Sequence, residues 1–191
     1  HAFHRASIPD LPPVTADDLL VSAEGAARDL ALVMPSLDSA LRSVTAALGG
    51  GRPQRTDALQ RTLHHDFHWN QLRIKRDRIT VLDLERCAVG DPWIDVATFT
   101  AQLTMLGLRD DLSISPNQAA AWRRAFLSAW ESTVGMTTDA QRLRWYSAVA
   151  LLTLARGVMR HLRPGWQTTV HRCLELALLL CRRCDDLEGV A

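Results

Sequence analysis

Lysine is almost absent from this sequence of 191 residues: Lys75 is the only one, and arginine supplies the rest of the 22 basic side chains. The sequence has 21 acidic residues, so its formal net charge is +1. A protein that binds nucleic acid or an anionic membrane through charge needs a strongly basic surface. The balanced charge argues against such surfaces, and we predict neither a nucleic-acid nor a membrane partner.

Long apolar runs and a disulfide framework are also missing. Residues 148–155 are interrupted by Thr153 and followed by Arg156, so they are too short to span a bilayer, and we expect no signal peptide. Cys181 and Cys184 have C-x-x-C spacing, but they lie in a predicted helix and no second pair completes a zinc site. We interpret them as thiols on a helix face of a cytoplasmic protein.

The spacing of apolar residues predicts a mainly α-helical protein. Thr15 opens a pattern similar to a capping box, Ser115 precedes a proline at a helix start, and the run Thr137-Thr138-Asp139 is a third predicted cap. The predicted helices cover residues 15–35, 36–48, 92–107, 115 onward, 139–162 and 167–187. Three tryptophans on their apolar faces are expected in the core: Trp122, Trp130 and Trp145.

One stretch departs from the helical pattern. Residues 72–74 and 78–82 are short apolar or alternating segments, and the polar run Lys75-Arg76-Asp77 separates them. This pattern is typical of two β-strands joined by a turn. The sequence therefore predicts a small β-hairpin within a helical protein.

The polar residues around this hairpin are of the types that phosphoryl transfer requires. Asp66 precedes the hairpin, Gln71 stands at its start, and Asp83 follows its second strand. In phosphoryl transfer one carboxylate accepts the proton of the attacking hydroxyl, while an amide and a second carboxylate hold the metal ion that neutralises the phosphates. A single residue of this kind near a turn more often caps backbone groups, so the interpretation depends on their order and spacing together.

The order of these motifs resembles the catalytic core of the aminoglycoside phosphotransferase family. The motifs are His64-x-Asp66-x-x-x-x-Gln71, Asp83-x-Glu85 and Gly90-Asp91-Pro92-x-x-Asp95. The members of this family are small-molecule kinases with the protein-kinase fold. The resemblance therefore implies a mainly α-helical C-terminal lobe of that fold with a small β-hairpin, and ATP or GTP as the phosphate donor.

The resemblance also implies the roles of the site residues. Asp66 is implied to be the catalytic base. The implied ligands of Mg²⁺ are Gln71, Asp83 and Glu85. The family usually has asparagine where this chain has Gln71, and glutamine keeps the amide oxygen with one more methylene of reach. Asn70 is an alternative metal ligand, one residue earlier.

The same resemblance divides the chain into three parts. Residues 1–62 are a helical lead-in, residues 63–107 hold the catalytic loop, the hairpin and a central helix, and residues 108–191 form a helical subdomain on the substrate side. His64 and Asp95 are implied to support the catalytic loop, with Asp95 bracing it from the start of the central helix.

A kinase of this fold also needs a nucleotide lobe with a glycine-rich hairpin and a strand lysine. Lys75 follows the catalytic base, so it cannot be that lysine, and no glycine-rich hairpin precedes it. We therefore expect this chain to be the C-terminal lobe of a longer protein, with the N-terminal nucleotide lobe absent and little activity alone. The alternatives are a natural stand-alone module and a catalytically inactive binding or scaffold module.

The expected phosphate acceptor is a small molecule with a hydroxyl group. Only residues 84–94 separate Asp83 from Asp95, which leaves no room for the activation loop of a protein kinase. A sugar, an amino sugar or an aminoglycoside-like compound would suit the family. Candidate substrate contacts are Trp69, Asp110 and Asp111. Because acidic residues after Asp95 are sparse, we predict a substrate with few positive charges.

Overall fold

The computed structural model describes residues 3–76, 78–135, 137–162 and 164–185, and α-helices dominate this part of the chain. The mainly α-helical fold class is confirmed. The described helices are α1 (Ala16–Val33), α2 (Asp38–Gly50), α3 (Trp93–Leu108), α4 (Pro116–Val134), α5 (Ala140–His161) and α6 (Trp166–Asp185).

Side-chain caps begin three of these helices where the sequence predicts them. The Thr15 hydroxyl accepts a hydrogen bond from the Asp18 backbone N–H (3.2 Å), and the Asp18 carboxylate accepts one from the Thr15 N–H (2.9 Å). Ser115 forms the same reciprocal box with Gln118, and Asp139 caps α5. Local sequence therefore determines these helix starts, because each cap satisfies backbone N–H groups that have no partner within the helix.

Some helix boundaries differ from those predicted from the positions of glycine and proline. Residues Pro35–Leu37 form a 3₁₀ turn, so α2 begins at Asp38 rather than at residue 36. Gly107 lies inside α3, which ends one residue later. The last helix was predicted to reach residue 187, and its final residues lie outside the described part of the chain.

Two antiparallel sheets of two strands each are described, where the sequence predicted one hairpin. The strands are β1 (Arg61–Leu63), β2 (Leu72–Lys75), β3 (Arg78–Val81) and β4 (Ala88–Gly90). β2 and β3 form the predicted hairpin, and residue 77 of its turn lies outside the described residues. The pairing of β1 with β4 was not predicted, and it closes the segment between residues 63 and 88 into a loop anchored at both ends.

The core centres on α3, which is buried on nearly all sides and packs against α4 and α5. Trp93 at its first turn is fully buried, and its ring centroid lies 4.6 Å from that of Trp130. Trp145 is also buried, and its indole N–H donates to the Leu48 carbonyl at 2.8 Å. Trp122 is 44% exposed, so the prediction that it packs in the core is wrong.

A buried polar cluster fixes the start of α3 against α5. One oxygen of Asp91 accepts from the Trp93 backbone N–H at 3.0 Å, which gives the first N–H group of α3 an acceptor. The other accepts from the Arg142 guanidinium and from the Tyr146 hydroxyl, the latter at 3.2 Å. Burial, together with the negative charge of Asp91, raises the pKa of Tyr146, so its hydroxyl stays protonated and keeps donating.

The cysteines agree with the absence of a disulfide framework as far as they are described. Cys87 and Cys173 are buried thiols, and burial raises the pKa of Cys173 to about 12. Cys181 lies on α6, and the side chain of Cys184 is outside the described residues. None of the described helices combines the length and the apolar character that a membrane crossing requires.

Substituting Gly90 tests the packing of the unpredicted sheet. A Cβ at this position would lie 2.8 Å from both the Val14 Cγ1 and the Val14 carbonyl oxygen, and 2.9 Å from the Leu63 Cδ1. We expect Gly90→Ala to lower the free energy of unfolding by about 1–3 kcal/mol through overpacking, measured by urea denaturation. Gly157→Ala is the matched control: a Cβ at position 157 of α5 meets nothing, so it should stabilise by about 0.5–1 kcal/mol. Equal stability of Gly90→Ala and the unsubstituted protein would contradict this packing.

Candidate active site

The loop between β1 and β2 is held by one buried carboxylate. Asp95, on the first turn of α3, is 2% exposed. Its two oxygens accept hydrogen bonds from the backbone N–H groups of His64 (2.8 Å) and His65 (2.9 Å). His4 Nε2 lies 3.1 Å from the first of these oxygens. Asp95 therefore contacts the loop backbone on the N-terminal side of Asp66, as a bracing residue must.

His64 connects this loop to the end of the hairpin. Its side chain is buried, and Nε2 lies 2.8 Å from the backbone oxygen of Leu82, the residue before Asp83. A carbonyl oxygen only accepts, so Nε2 carries the proton. The ring is flanked by Phe3 and Phe67, with centroids at 6.1 and 5.8 Å. One imidazole thereby ties the position of Asp66 to that of Asp83.

His65 turns the backbone immediately before Asp66. It has φ = 60°, in the left-handed region that residues other than glycine seldom occupy. Burial lowers the pKa of its imidazole, and the positive charge of Arg86 lowers it further, against the opposing effects of Asp95 and Asp66. His65 is therefore neutral at pH 7 and adds no positive charge beside Asp66.

The carboxylate of Asp66 remains partly accessible. Its side chain is 35% exposed, and one oxygen lies 3.8 Å from His68 Nε2. It lines a pocket of about 380 Å³ between the loop, α1, α3 and α5. An accessible carboxylate on a fixed loop beside a pocket can accept a proton from a bound hydroxyl.

Gln71 and Asp83 meet across the open end of the hairpin. The Gln71 amide donates to the Asp83 carboxylate at 2.9 Å. The Gln71 backbone is held on both sides, since its N–H donates to His68 O (2.9 Å) and its C=O accepts from Leu82 N–H (2.8 Å). Asp83 has φ = 58°, which turns the chain sharply after β3. Glu85 lies two residues further on and is exposed.

The side-chain oxygens at the open end of the hairpin supply some of the ligands that magnesium prefers. No group of three or more His, Cys, Asp or Glu side chains that could hold a metal exists among the residues the structure describes. Mg²⁺ is typically bound by one or two carboxylates together with water and substrate phosphates, rather than by an all-protein cage. The Asp83 carboxylate and the amide oxygen of Gln71 fit that pattern, with Glu85 nearby in the chain.

The pocket beside Asp66 has a wall that the sequence did not predict. α1 contributes Asp18, α3 contributes Thr98 and Gln102, and α5 contributes Arg156. Arg86, from the turn before β4, completes its polar lining. The sequence predicts substrate contacts at Trp69 and in the segments after Asp95, and no local signal in α1 marks it as part of the site. The pocket thus has two carboxylates and two guanidinium groups.

The predicted substrate contacts lie outside this lining. Asp110 pairs with Arg172 (2.6 Å), and Asp111 pairs with the Arg109 guanidinium through both oxygens (2.8 and 2.5 Å). Trp69 lies in a 3₁₀ turn of the catalytic loop and is 43% exposed. The structure therefore brings together Asp66 with His64 and Asp95, and Gln71 with Asp83, but leaves these three candidates apart from the Asp66 pocket.

Comparison with known proteins identifies the family of this chain independently of the site geometry. The sequence model of the phosphotransferase enzyme family, APH, matches residues 1–146. The chain belongs to this family. The resemblance seen in the sequence motifs is confirmed, and the matched range contains the catalytic loop, the hairpin and α3. No curated protein matches the chain significantly.

Solved structures share the fold of this APH-family chain. A candidate aminoglycoside phosphotransferase from Ralstonia eutropha JMP134 is 18% identical with a TM-score of 0.62, covering 90% of this chain and 56% of that one. Choline kinase from Cryptosporidium parvum Iowa II is 12% identical with a TM-score of 0.59, covering 99% and 64%. A choline/ethanolamine kinase family protein from Mesorhizobium loti is 15% identical with a TM-score of 0.53, covering 95% and 63%. The chain spans less than two thirds of each, and the predicted kinase-like fold is confirmed.

Removing the Asp95 carboxylate tests how the loop is held. In Asp95→Ala the backbone N–H groups of His64 and His65 lose their acceptors inside the protein. We expect the free energy of unfolding to fall by roughly 2–5 kcal/mol, measured by urea denaturation, and amide hydrogen exchange at residues 64 and 65 to accelerate. Asp57→Ala is the control, because Asp57 is 89% exposed and its ion pair with Arg55 stabilises little. Unchanged exchange at residues 64 and 65 would show that Asp95 does not hold the loop.

Proposed function

We propose that this chain carries the catalytic site of a small-molecule kinase, which transfers the γ-phosphoryl group of ATP or GTP to a hydroxyl of a small substrate. The observation that carries the proposal is the pair of hydrogen bonds that the Asp95 carboxylate accepts from the loop backbone, which leaves the adjacent Asp66 accessible at a pocket. Membership of the phosphotransferase family supports the reaction class.

In the proposed reaction Asp66 is the general base. Its carboxylate orients the acceptor hydroxyl and takes its proton as the new O–P bond forms. The bond between the γ phosphorus and its bridging oxygen breaks, and the nucleoside diphosphate leaves. His64 and Asp95 position the loop without contacting the reacting atoms.

Gln71 and Asp83 are the proposed metal ligands, with Glu85 assisting. When bound there, Mg²⁺ would neutralise charge on the transferred phosphates. In the present structure the Gln71 amide nitrogen donates to Asp83, so a rotation of the Gln71 amide would present its oxygen beside the carboxylate. The register of β2 and β3 holds both residues at the same end of the hairpin, since Leu72 pairs with Val81.

The proposed acceptor is a sugar, an amino sugar or another small alcohol with few positive charges. The pocket beside Asp66 presents the guanidinium groups of Arg86 and Arg156 alongside Thr98 and Gln102. Asp18 also lines it, but its carboxylate already accepts hydrogen bonds from Thr15. A polycationic aminoglycoside requires several converging carboxylates, and this lining does not provide them.

A binding or scaffold function without catalysis is the second candidate. The direct Gln71–Asp83 hydrogen bond favours it, because the two groups satisfy each other without a metal ion. The two candidates predict different behaviour of the protein towards a metal–nucleotide complex.

Asp66→Asn tests catalysis in the natural protein that contains this chain. A neutral amide of the same shape cannot take the hydroxyl proton, so we expect turnover to fall by roughly 10²–10⁴-fold. The measurement is nucleoside diphosphate release with a panel of sugars, amino sugars and small alcohols. Asp57→Asn, an exposed carboxylate elsewhere, is the control and should retain full turnover. Comparable turnover in the two variants would remove Asp66 from the role of base.

Asp83→Asn tests the metal site and discriminates between the two functions. Asparagine tolerates the left-handed backbone of residue 83, so the loss is confined to the negative charge. If the enzyme proposal is correct, the increase in nucleotide affinity caused by Mg²⁺ should be lost in this variant, as measured by calorimetry with and without the ion. A natural protein that binds nucleotide equally well with and without Mg²⁺, both unsubstituted and as Asp83→Asn, would favour the scaffold function.

A further inference from the structure

A second cavity lies on the opposite side of α3 from the Asp66 pocket. Thr98 and Gln102 of α3 line the Asp66 pocket, whereas Thr100 and Thr104 line this one. Residues two apart on a helix point in nearly opposite directions. The cavity measures about 200 Å³ and is bounded by α3, α4, α5 and α6. Its lining shares no residue with that of the Asp66 pocket.

Three arginines line this cavity and no carboxylate does. They are Arg123 and Arg124 on α4 and Arg144 on α5. Guanidinium groups stay protonated in proteins, so the cavity lining carries three positive charges. Like charges at one site repel one another, most strongly where they are partly buried as Arg123 and Arg144 are, and a bound anion removes that repulsion.

Most other helix arginines are neutralised locally. Described helix arginines with a carboxylate partner are Arg42, Arg142, Arg156, Arg160 and Arg172. None of the three cavity arginines has an ion pair with any described residue. Outside the cavity, only Arg28 and Arg182 share this property among helix arginines with described side chains. Three of the five unpaired helix guanidinium groups with described side chains therefore line this one cavity.

Arg144 also has an unsatisfied nitrogen. Its Nε is buried and has no hydrogen-bond partner among the described residues. A buried donor without an acceptor costs free energy, and such a group in a folded protein calls for an explanation such as a bound ion or water. The neighbouring hydroxyls of Thr100 and Thr104 donate to backbone carbonyls within α3, and neither accepts a hydrogen bond from Arg144 Nε.

The remaining wall is apolar and comes from leucines. They are Leu127, Leu143, Leu151, Leu176 and Leu180. Typical ligand pockets measure about 300–1,000 Å³, so a cavity of about 200 Å³ suits a small compound. Its lining combines three charged donors with a hydrocarbon surface, which matches a ligand with one acidic group and a short apolar part.

We propose that this cavity is a binding site for a small organic anion, a carboxylate or a phosphate monoester attached to an apolar group. The acidic group accepts hydrogen bonds from the three guanidinium groups, Arg144 Nε included, and the apolar group packs on the leucines. The site is separate from the Asp66 pocket and does not depend on the proposed kinase function.

Calorimetric titration of the natural protein that contains this chain tests the site. The probes are benzoate and phenyl phosphate, with benzyl alcohol as the uncharged compound of similar shape. We expect at least one anionic probe to bind with one-to-one stoichiometry and benzyl alcohol not to bind. The anion that binds with the higher affinity shows whether the site prefers a carboxylate or a phosphate group.

Single substitutions show whether the anionic probe binds in this cavity. Arg144→Gln should weaken the anionic probe by about tenfold or more, because the charge-assisted hydrogen bond from its buried Nε is lost. Arg124→Gln, on an exposed part of α4, gives a second measurement if Arg144→Gln does not fold. Arg28→Gln, an unpaired helix arginine outside the cavity, is the matched control and should bind normally. Asp66→Asn should also bind normally, which separates this site from the proposed active site.

Two results would overturn the proposal. The first is no binding of either anion at millimolar concentration. The second is equal weakening by Arg28→Gln and Arg144→Gln, which indicates general attraction of anions.

Discussion

Both oxygens of the Asp95 carboxylate accept backbone hydrogen bonds from the candidate catalytic loop, and the geometry of the candidate site follows from that contact. The carboxylate is buried, so its interaction with the two N–H groups is not weakened by solvent. Asp95 is itself fixed because it lies on α3, the most buried helix of the described chain. A rigid core helix thereby determines where an exposed loop residue, Asp66, is placed. The general requirement that reacting groups be held to a fraction of an ångström makes such support necessary for catalysis.

The second constraint is that residues far apart in the chain must meet. β1 pairs with β4, which anchors both ends of the segment from residue 63 to residue 88. Within it, the imidazole of His64 contacts the backbone beside Asp83, and the hairpin register brings Gln71 to Asp83. Gly90 is part of the same arrangement, because Val14 approaches it too closely for any side chain. The candidate base and the candidate metal ligands are therefore positioned by one closed loop rather than by separate elements.

Sequence reasoning succeeded where the determinants are local. The caps at Thr15, Ser115 and Asp139 and the β2–β3 hairpin each depend on residues within a few positions of one another, and all are present. The β1–β4 sheet was missed because each strand has only three residues and their pairing is not local. The pocket wall from α1 was missed for the same reason. Trp122 was misplaced since helical spacing identifies an apolar face but does not show whether another element covers it.

The positions of the arginine and acidic side chains bear on which substrates would suit the Asp66 pocket. Acidic residues after Asp95 are few, and Asp110 and Asp111 are already paired with arginines away from the Asp66 pocket. Displacing such exposed pairs costs only about 1 kcal/mol or less each, so their pairing alone does not exclude a cationic substrate. Neither residue lines the Asp66 pocket, so neither would directly contact a cation bound there. Within the pocket, Arg86 and Arg156 stand beside only two carboxylates, Asp18 and Asp66, and Arg156 already pairs with Asp29. A hydroxylated compound with little positive charge needs no cluster of carboxylates and can hydrogen bond to Thr98 and Gln102, which supports the proposed class of acceptor.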